Sequence, residues 1–447
     1  MSTSDTSKVG PVQRILRAAA KVEPHELKAT VLSFLFVFIL MAAYFILRAP
    51  RDSMSADWTQ EEVNWLWTMT FFFSLIAVSL YGWLISLVRF QRVVPSVYVF
   101  FSASFFAFFA VSTTLPDPKL VNQAFYVWLS VFSLFHVSVF WSFMSDLFSR
   151  EQAPRLFGVI ATGASLGAMV GPVIPTFFAE QIGTMNLIPV SAALLLIPVP
   201  IIVALQRIKD GELGNAHVQV DLTRQQRLGR NPFSGFGLFI RNPYLLGIGL
   251  FIFMYVIMNT FIYMELRKLL GAFDRDVRTQ IYGAMDLAVN TIAIVTALFL
   301  TSRLATRMGL AVTLALIPLF MVGGWLFVAA SPLLAVLIGL QVARRAGNYA
   351  ITKPGREMLF TIVDSESRYK AKPVIDIVVY RGGDMVTAWF YSLLTATFGL
   401  GLAGVAVIAA GIAAVWAASG AYLGRRYARA RQESTPNAPT SGEVPGA

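Results

Sequence analysis

The sequence predicts an all-α integral membrane protein of about twelve spans, built as two six-helix halves. Three observations predict it. Only 14% of the 447 residues are charged and 56% are hydrophobic, whereas an average soluble domain is roughly 25% charged. So few charges cannot cover a water-facing surface. The apolar residues come in blocks of about 20, and at about 1.5 Å per residue such a block crosses the roughly 30 Å hydrocarbon core. Finally, Lys and Arg collect on alternate loops, the pattern of the positive-inside rule.

The spans are expected at 27–47, 64–88, 93–114, 121–148, 155–179, 186–206, 241–264, 279–301, 309–330, 333–360, 372–398 and 401–423. A basic segment, 1–26, precedes them; it is polar to about Thr30, with no cleavable signal peptide expected. A polar linker, 207–240, separates the halves 27–206 and 241–423. The tail, 424–447, is rich in Pro, Ser, Thr and Gly and is expected to be disordered. With both termini inside, 24 of the 36 Lys and Arg face the cytoplasm. The outer side holds 7: Arg48, Arg51, Lys119, Arg267, Lys268, Arg275 and Arg278. That bias implies a multi-pass protein of the plasma (inner) membrane with cytoplasmic termini. The net charge of +11 is therefore assigned to cytoplasmic loops, and no nucleic-acid partner is expected.

A shift of 215 residues places Arg92 on Arg307, Glu151 on Glu366, Arg155 on Lys370 and Gly167 on Gly382. A parallel two-half repeat is the plan of major facilitator transporters, whose substrate site lies near mid-membrane.

Charges inside spans cost about 2.5–3.5 kcal/mol each on insertion scales and so mark function or an internal partner. Span one ends in YFILRAPRDSM, with Arg48, Arg51 and Asp52 at helical spacing. They are either ligand-facing or an outer cap of snorkelling arginines, and Pro50 is expected to bend or end the helix there. Span ten carries Arg344, Arg345, Asn348, Tyr349, Thr352, Lys353, Arg356 and Glu357. Arg345, Tyr349, Thr352 and Arg356 form one α-helical stripe, Lys353 is offset from it, and Glu357 can neutralise a neighbour. Span eleven carries Asp376, Tyr380, Arg381 and Asp384. These either bind ligand or form salt bridges, Arg381 with Asp384 and Asp376 with Arg356. Thinner ladders are Tyr255, Asn259 and Tyr263 in span seven, Asp286 and Asn290 in span eight, and Asp146 in span four. Interhelical hydrogen bonds are their default role, with Asp286 the exception among them; Asp286 or Asp384 would be the titrating group of a proton-coupled transporter. His136 is expected to be a packed core residue. Gly163, Gly167 and Gly171 in span five allow close helix approach.

Substrate binding is accordingly expected from Arg48, Arg51, Arg345, Arg356, Arg381, Tyr255 and Asn259. Gating or coupling is expected from Asp52, Asp286, Lys353, Glu357, Asp376 and Asp384. There are no cysteines, and three separated histidines have no metal-ligand spacing. No GxxxxGK[ST], HExxH or GxSxG is present. No enzyme activity, catalytic residue, metal or cofactor is expected, and transport would be driven by gradients or exchange. The partners expected are a small anionic solute and the bilayer, with the chain a monomer. The alternatives are a proton-coupled transporter of another organic solute and a non-transporting scaffold or sensor.

The stretch 350–386, AITKPGREMLFTIVDSESRYKAKPVIDIVVYRGGDMV, resembles the signature of the nucleotide (ATP/ADP) translocase family of plastids and intracellular bacteria. Arg356, Glu357 and Met358 match its TKEM-type run. Lys372 and Asp376 match its GKAAxD-type run, and Arg381 its R-x-GK end. LRAPRDSM, with Arg48, Arg51 and Asp52, resembles the family's LRxxKD motif, and Trp141 to Gly158 resembles the equivalent loop of bacterial relatives. The resemblance implies a major facilitator plan, a cationic cavity and nucleotide exchange. One departure is that Arg381 is followed by Gly382, Gly383 and Asp384 where the family has a lysine two residues on. A cation lost and an acid gained weaken the hold on a triphosphate.

Overall fold

A computed structural model describes residues 22–87, 90–149, 151–215, 234–301, 307–364, 371–372 and 374–433. Most of the basic N-terminal segment, the middle of the linker, the end of the tail, and Arg89, Arg150, Arg303, Glu366, Arg368 and Lys370 lie outside them. The described residues are helical, with no strand among them. Among the described residues ten helices are long and apolar enough to cross a membrane; the first runs Leu27–Asp57 and the last Leu402–Glu433.

The tenth and eleventh expected spans are interrupted helices. Span ten is an α-helix Leu334–Gly347, a π turn Asn348–Thr352 and a short α-helix Lys353–Leu359. Span eleven opens with a π segment Val374–Gly382, continues as α-helix Gly383–Ser392, and closes on a second π segment, Leu393–Thr397. In span ten Pro354 stands at the start of the short helix Lys353–Leu359. A proline removes a ladder hydrogen bond, and π turns gather at functional sites.

The chain divides into two compact units, Met1–Gln225 with Met264–Thr291, and Gln226–Tyr263 with Ile292–Ala447. In the first unit, span one lies in the interior. Its helix runs Leu27–Met54 and carries Pro50 inside it. Span five approaches it backbone to backbone, because a Cβ on Gly163, Gly167 or Gly171 would collide with the carbonyls of Phe34, Phe38 and Ala42. The GASLGAMVG repeat is thus a packing seam, where small residues let two helices touch. Interhelical hydrogen bonds add to it: Ser191 Oγ donates to Ala43 O, and Ser102 Oγ to Ala192 O, both at 2.7 Å. Phe36 is wedged edge-on against Tyr98 and Phe140, with centroids 5.4 and 4.9 Å away.

Polar clasps tie both ends of this unit. On the basic side, Lys209 Nζ meets Asp146 Oδ2 at 2.8 Å, with both side chains buried. Arg155 grips the buried Glu26 carboxylate with both terminal nitrogens, at 2.8 and 3.2 Å. On the opposite side, Arg267 donates to the carbonyls of Ser55 and Trp58 and to Gln60. Asp57 there receives Arg275 and Arg278.

The second unit has a matching seam. Gly420 and Gly424 on span twelve sit where a Cβ would strike the backbone of Leu314 and Ala311 on span nine.

Candidate functional site

Four charged side chains meet in the first unit. Because its helix passes through Pro50, span one presents Arg48, Arg51 and Asp52 on little more than one turn of one continuous helix. All three are largely buried, so the arginines do not snorkel as an outer cap. Arg51 donates to Asp52 Oδ1 from Nη2 and Nε at 2.7 and 3.0 Å. Its guanidinium also lies 5.2 Å from the Tyr126 ring centre and makes a long contact, 3.5 Å, to Ser130 Oγ. Arg48 Nε is 3.5 Å from Asp52 Oδ2, and its Nη1 is 3.7 Å from Asp286 Oδ1. Asp286, on span eight, is 2% exposed, and Asn290 one turn on donates to its backbone carbonyl. Two cations therefore face two carboxylates. In the same unit His136 is a buried ring stacked on Tyr44 at 4.5 Å. Its Nε2 has no hydrogen-bond partner among the described residues.

The second unit holds two clusters. In one, Arg356 Nη2 lies 3.1 Å from Glu357 Oε1 and 3.5 Å from Asp376 Oδ1, and Lys372 Nζ lies 2.6 Å from Glu357 Oε2. The expected Arg356–Asp376 pairing is present. Again two cations face two carboxylates, drawn from the end of span ten and the start of span eleven. The other cluster surrounds Arg344, whose relative exposure is 0%. Its Nη2 donates to Asn259 Oδ1 and Gln341 Oε1, both at 2.7 Å. Its guanidinium also lies 5.2 Å from the Tyr255 ring centre, and Tyr255 in turn packs near Tyr380 at 6.2 Å. These partners are all uncharged. Among the described residues no carboxylate pairs with Arg344, and its Nε and Nη1 hydrogens are unused.

The major facilitator family model matches residues 29–350, well over half of the chain. The chain belongs to the major facilitator superfamily. Its fold is similar to the crystal structure of the nucleoside transporter NupG, with a TM-score of 0.61 at 14% identity over 89% of this chain and 99% of that one. It is also similar to the proton:xylose symporter XylE bound to 6-bromo-6-deoxy-D-glucose, with a TM-score of 0.56 at 11% identity over 88% and 94%. No curated protein sequence matches it. At these identities the neighbours speak to the fold alone. This chain is accordingly a multi-pass member of a transporter superfamily.

Within this major facilitator chain, Tyr255 and Asn259 lie on the Arg344 cluster, and Arg48, Arg51, Asp52 and Asp286 lie on the first unit's network. Arg356, Glu357 and Asp376 share the third cluster. Arg345 is buried, Arg381 and Asp384 are partly buried on span eleven, and Lys353 is exposed. Arg344 and Gln341 fall outside the set of residues expected to bind solute. Their i, i+3 spacing was the available signal. The π turn at Asn348–Thr352 alters the expected stripe. It inserts a residue relative to α-helical period, so the stripe drawn through Arg345, Tyr349, Thr352 and Arg356 does not stay on one face. Tyr349 is 41% exposed where Thr352 is 2%.

Proposed function

We propose that this major facilitator protein is a secondary active transporter that exchanges an anionic solute by alternating access, with nucleotides the first class to test. One observation carries the reading: the charge balance around the buried arginines. Arg48 and Arg51 face two carboxylates, and Arg356 and Lys372 face two more. Arg344 has neutral partners only among the described residues. A buried ion without a counter-charge costs several kcal/mol. An anionic group arriving at Nε and Nη1 would offset that cost, and the guanidinium fork suits a carboxylate or phosphate oxygen pair.

In this reading Arg344, Asn259 and Tyr255 hold the solute, with Arg345 and Arg381 on spans ten and eleven supplying further positive potential. Arg48, Arg51, Asp52 and Asp286 form a coupling network in the first unit. Arg356, Glu357, Lys372 and Asp376 form a gating network, with Lys353 and Asp384 at its margins. The likeness of 350–386 and LRAPRDSM to the ATP/ADP translocases supports nucleotide exchange. Asp384 after Arg381 argues for a ligand with fewer negative charges than a triphosphate. The protein would sit in the inner membrane as a monomer, with both termini in the cytoplasm. Counterflow tests this: proteoliposomes loaded with unlabelled ADP should take up labelled nucleotide only while the internal pool is present. Uptake independent of internal nucleotide would refute exchange.

A second reading, proton-coupled transport, is favoured by Asp286, a buried carboxylate held to Arg48 by a long contact. Protonation there would remove one of the two carboxylates that face Arg48 and leave Asp52 as the other. Asp286→Asn should then abolish uptake driven by a pH gradient while sparing counterflow; loss of neither would exclude this reading.

A further inference from the structure

Span twelve ends in a basic face that none of the networks above uses. Its helix Leu402–Glu433 buries Ala409, Ala413, Trp416, Gly420 and Gly424. The opposite face is open. Val407, Val415 and Tyr422 on it are 57%, 54% and 59% exposed. From Val407 the face runs through Val415, Ala418, Tyr422, Arg425 and Arg429, in steps of three, four and eight residues that keep to one side of an α-helix. Its basic end forms a cavity of about 650 Å³ lined by Ala418, Ala421, Tyr422, Arg425, Arg426 and Arg429.

The chemistry changes along this face in a set order: small and apolar, then aromatic, then cationic. Arg426 is positioned over the Tyr244 ring, 5.3 Å from its centre, and Tyr244 OH donates to Leu359 O at 3.1 Å. That contact holds one wall of the cavity in place. Among the described residues no carboxylate forms an ion pair with Arg425, Arg426 or Arg429. The cavity therefore presents three arginines with no ion-paired carboxylate among the described residues, directly beyond an exposed apolar strip on a helix long and apolar enough to span a membrane.

We propose that this face of span twelve is a binding site for an anionic phospholipid of the surrounding bilayer. The phosphodiester sits among Arg425, Arg426 and Arg429, Tyr422 lies at the headgroup boundary, and an acyl chain runs over Ala418 toward Val415 and Val407. The order of the face selects the occupant. Guanidinium groups match phosphate oxygens, tyrosine suits the membrane–water boundary, and small residues leave room for a chain. A soluble phosphate would use only the arginines and leave the exposed strip unexplained. Basic clusters next to a span attract anionic headgroups by about 1 kcal/mol per residue, which is about fivefold per arginine.

The test is lipid retention by the full chain in detergent, read by native mass spectrometry. The probes are phosphatidylglycerol and phosphatidylcholine with matched acyl chains. The site predicts preferential retention of phosphatidylglycerol. Arg425→Gln/Arg426→Gln/Arg429→Gln should lower that preference on the order of a hundredfold. Ala418→Trp, which blocks the strip without altering charge, should also reduce it. Arg207→Gln/Arg241→Gln, which removes basic charge elsewhere on the same side, should leave it unchanged. Equal retention of the two lipids overturns the proposal. So does a preference that survives the triple variant or falls equally in the Arg207/Arg241 control. Competition by inorganic phosphate as effective as by intact phosphatidylglycerol would assign the cavity to a soluble anion and overturn the lipid assignment.

Discussion

Arg344 is enclosed by an amide on span seven, an amide one turn earlier on span ten, and an aromatic face. Each partner solvates the guanidinium without neutralising it. Hydrogen bonds to charged groups contribute about 1.5–3 kcal/mol, so Arg344→Gln should weaken binding of an anionic solute by about 10- to 100-fold. Arg344→Lys should fall between, since it keeps the charge and loses the planar fork. Equilibrium binding to the detergent-solubilised protein measures both. The first unit's arginines behave differently, because Asp52 and Asp286 already answer them. Removing a carboxylate from that network would leave a buried cation uncompensated, so Asp52→Asn should lower the thermal midpoint even without ligand. A midpoint unchanged from wild type would mean that Arg48 and Arg51 draw their counter-charge elsewhere.

At the scale of helices, the two glycine seams and the buried Lys209–Asp146 pair decide stability. Gly167→Leu drives a side chain into the Phe38 carbonyl, and overpacking of this kind costs about 1–3 kcal/mol. A Cβ at Gly158 on the same helix meets nothing within 4 Å, so Gly158→Leu should be tolerated. Thermal unfolding of the two variants makes the comparison. Lys209→Met takes the ammonium away from the buried Asp146 carboxylate and should cost about 3–5 kcal/mol, much of it recovered when Asp146→Leu is added. The span five seam was legible because glycine every fourth residue is a direct statement about helix approach. The span twelve seam, Gly420 and Gly424, carries the same spacing and was passed over beneath a long Ala-rich run. The breaks in spans ten and eleven were not legible. A π turn leaves no periodic mark in sequence, yet it moves every later side chain around the helix, which is why the stripe through Arg345 and Arg356 does not hold.

For the whole molecule, apolar blocks and loop charge made the twelve-span plan readable, because membrane thickness fixes span length. Long-range partners such as Asp286 for Arg48 were not readable, since no local spacing links residues so far apart in the chain. The charge bias makes a topology prediction that the native absence of cysteine makes easy to test. A cysteine introduced at Ser434 should react with an impermeant thiol reagent only from the cytoplasmic side, and one at Ser331 only from outside. Reversed labelling would invert the orientation. Above all, Arg344 is assigned to the negative charge of the transported solute. Counterflow in proteoliposomes with a matched pair of solutes, ADP and adenosine, in wild type and Arg344→Gln, addresses that assignment. Wild type should prefer ADP, and the variant should lose this preference by about tenfold or more, with adenosine unaffected. An unchanged preference in a folded variant would mean that Arg344 does not hold the solute's charge.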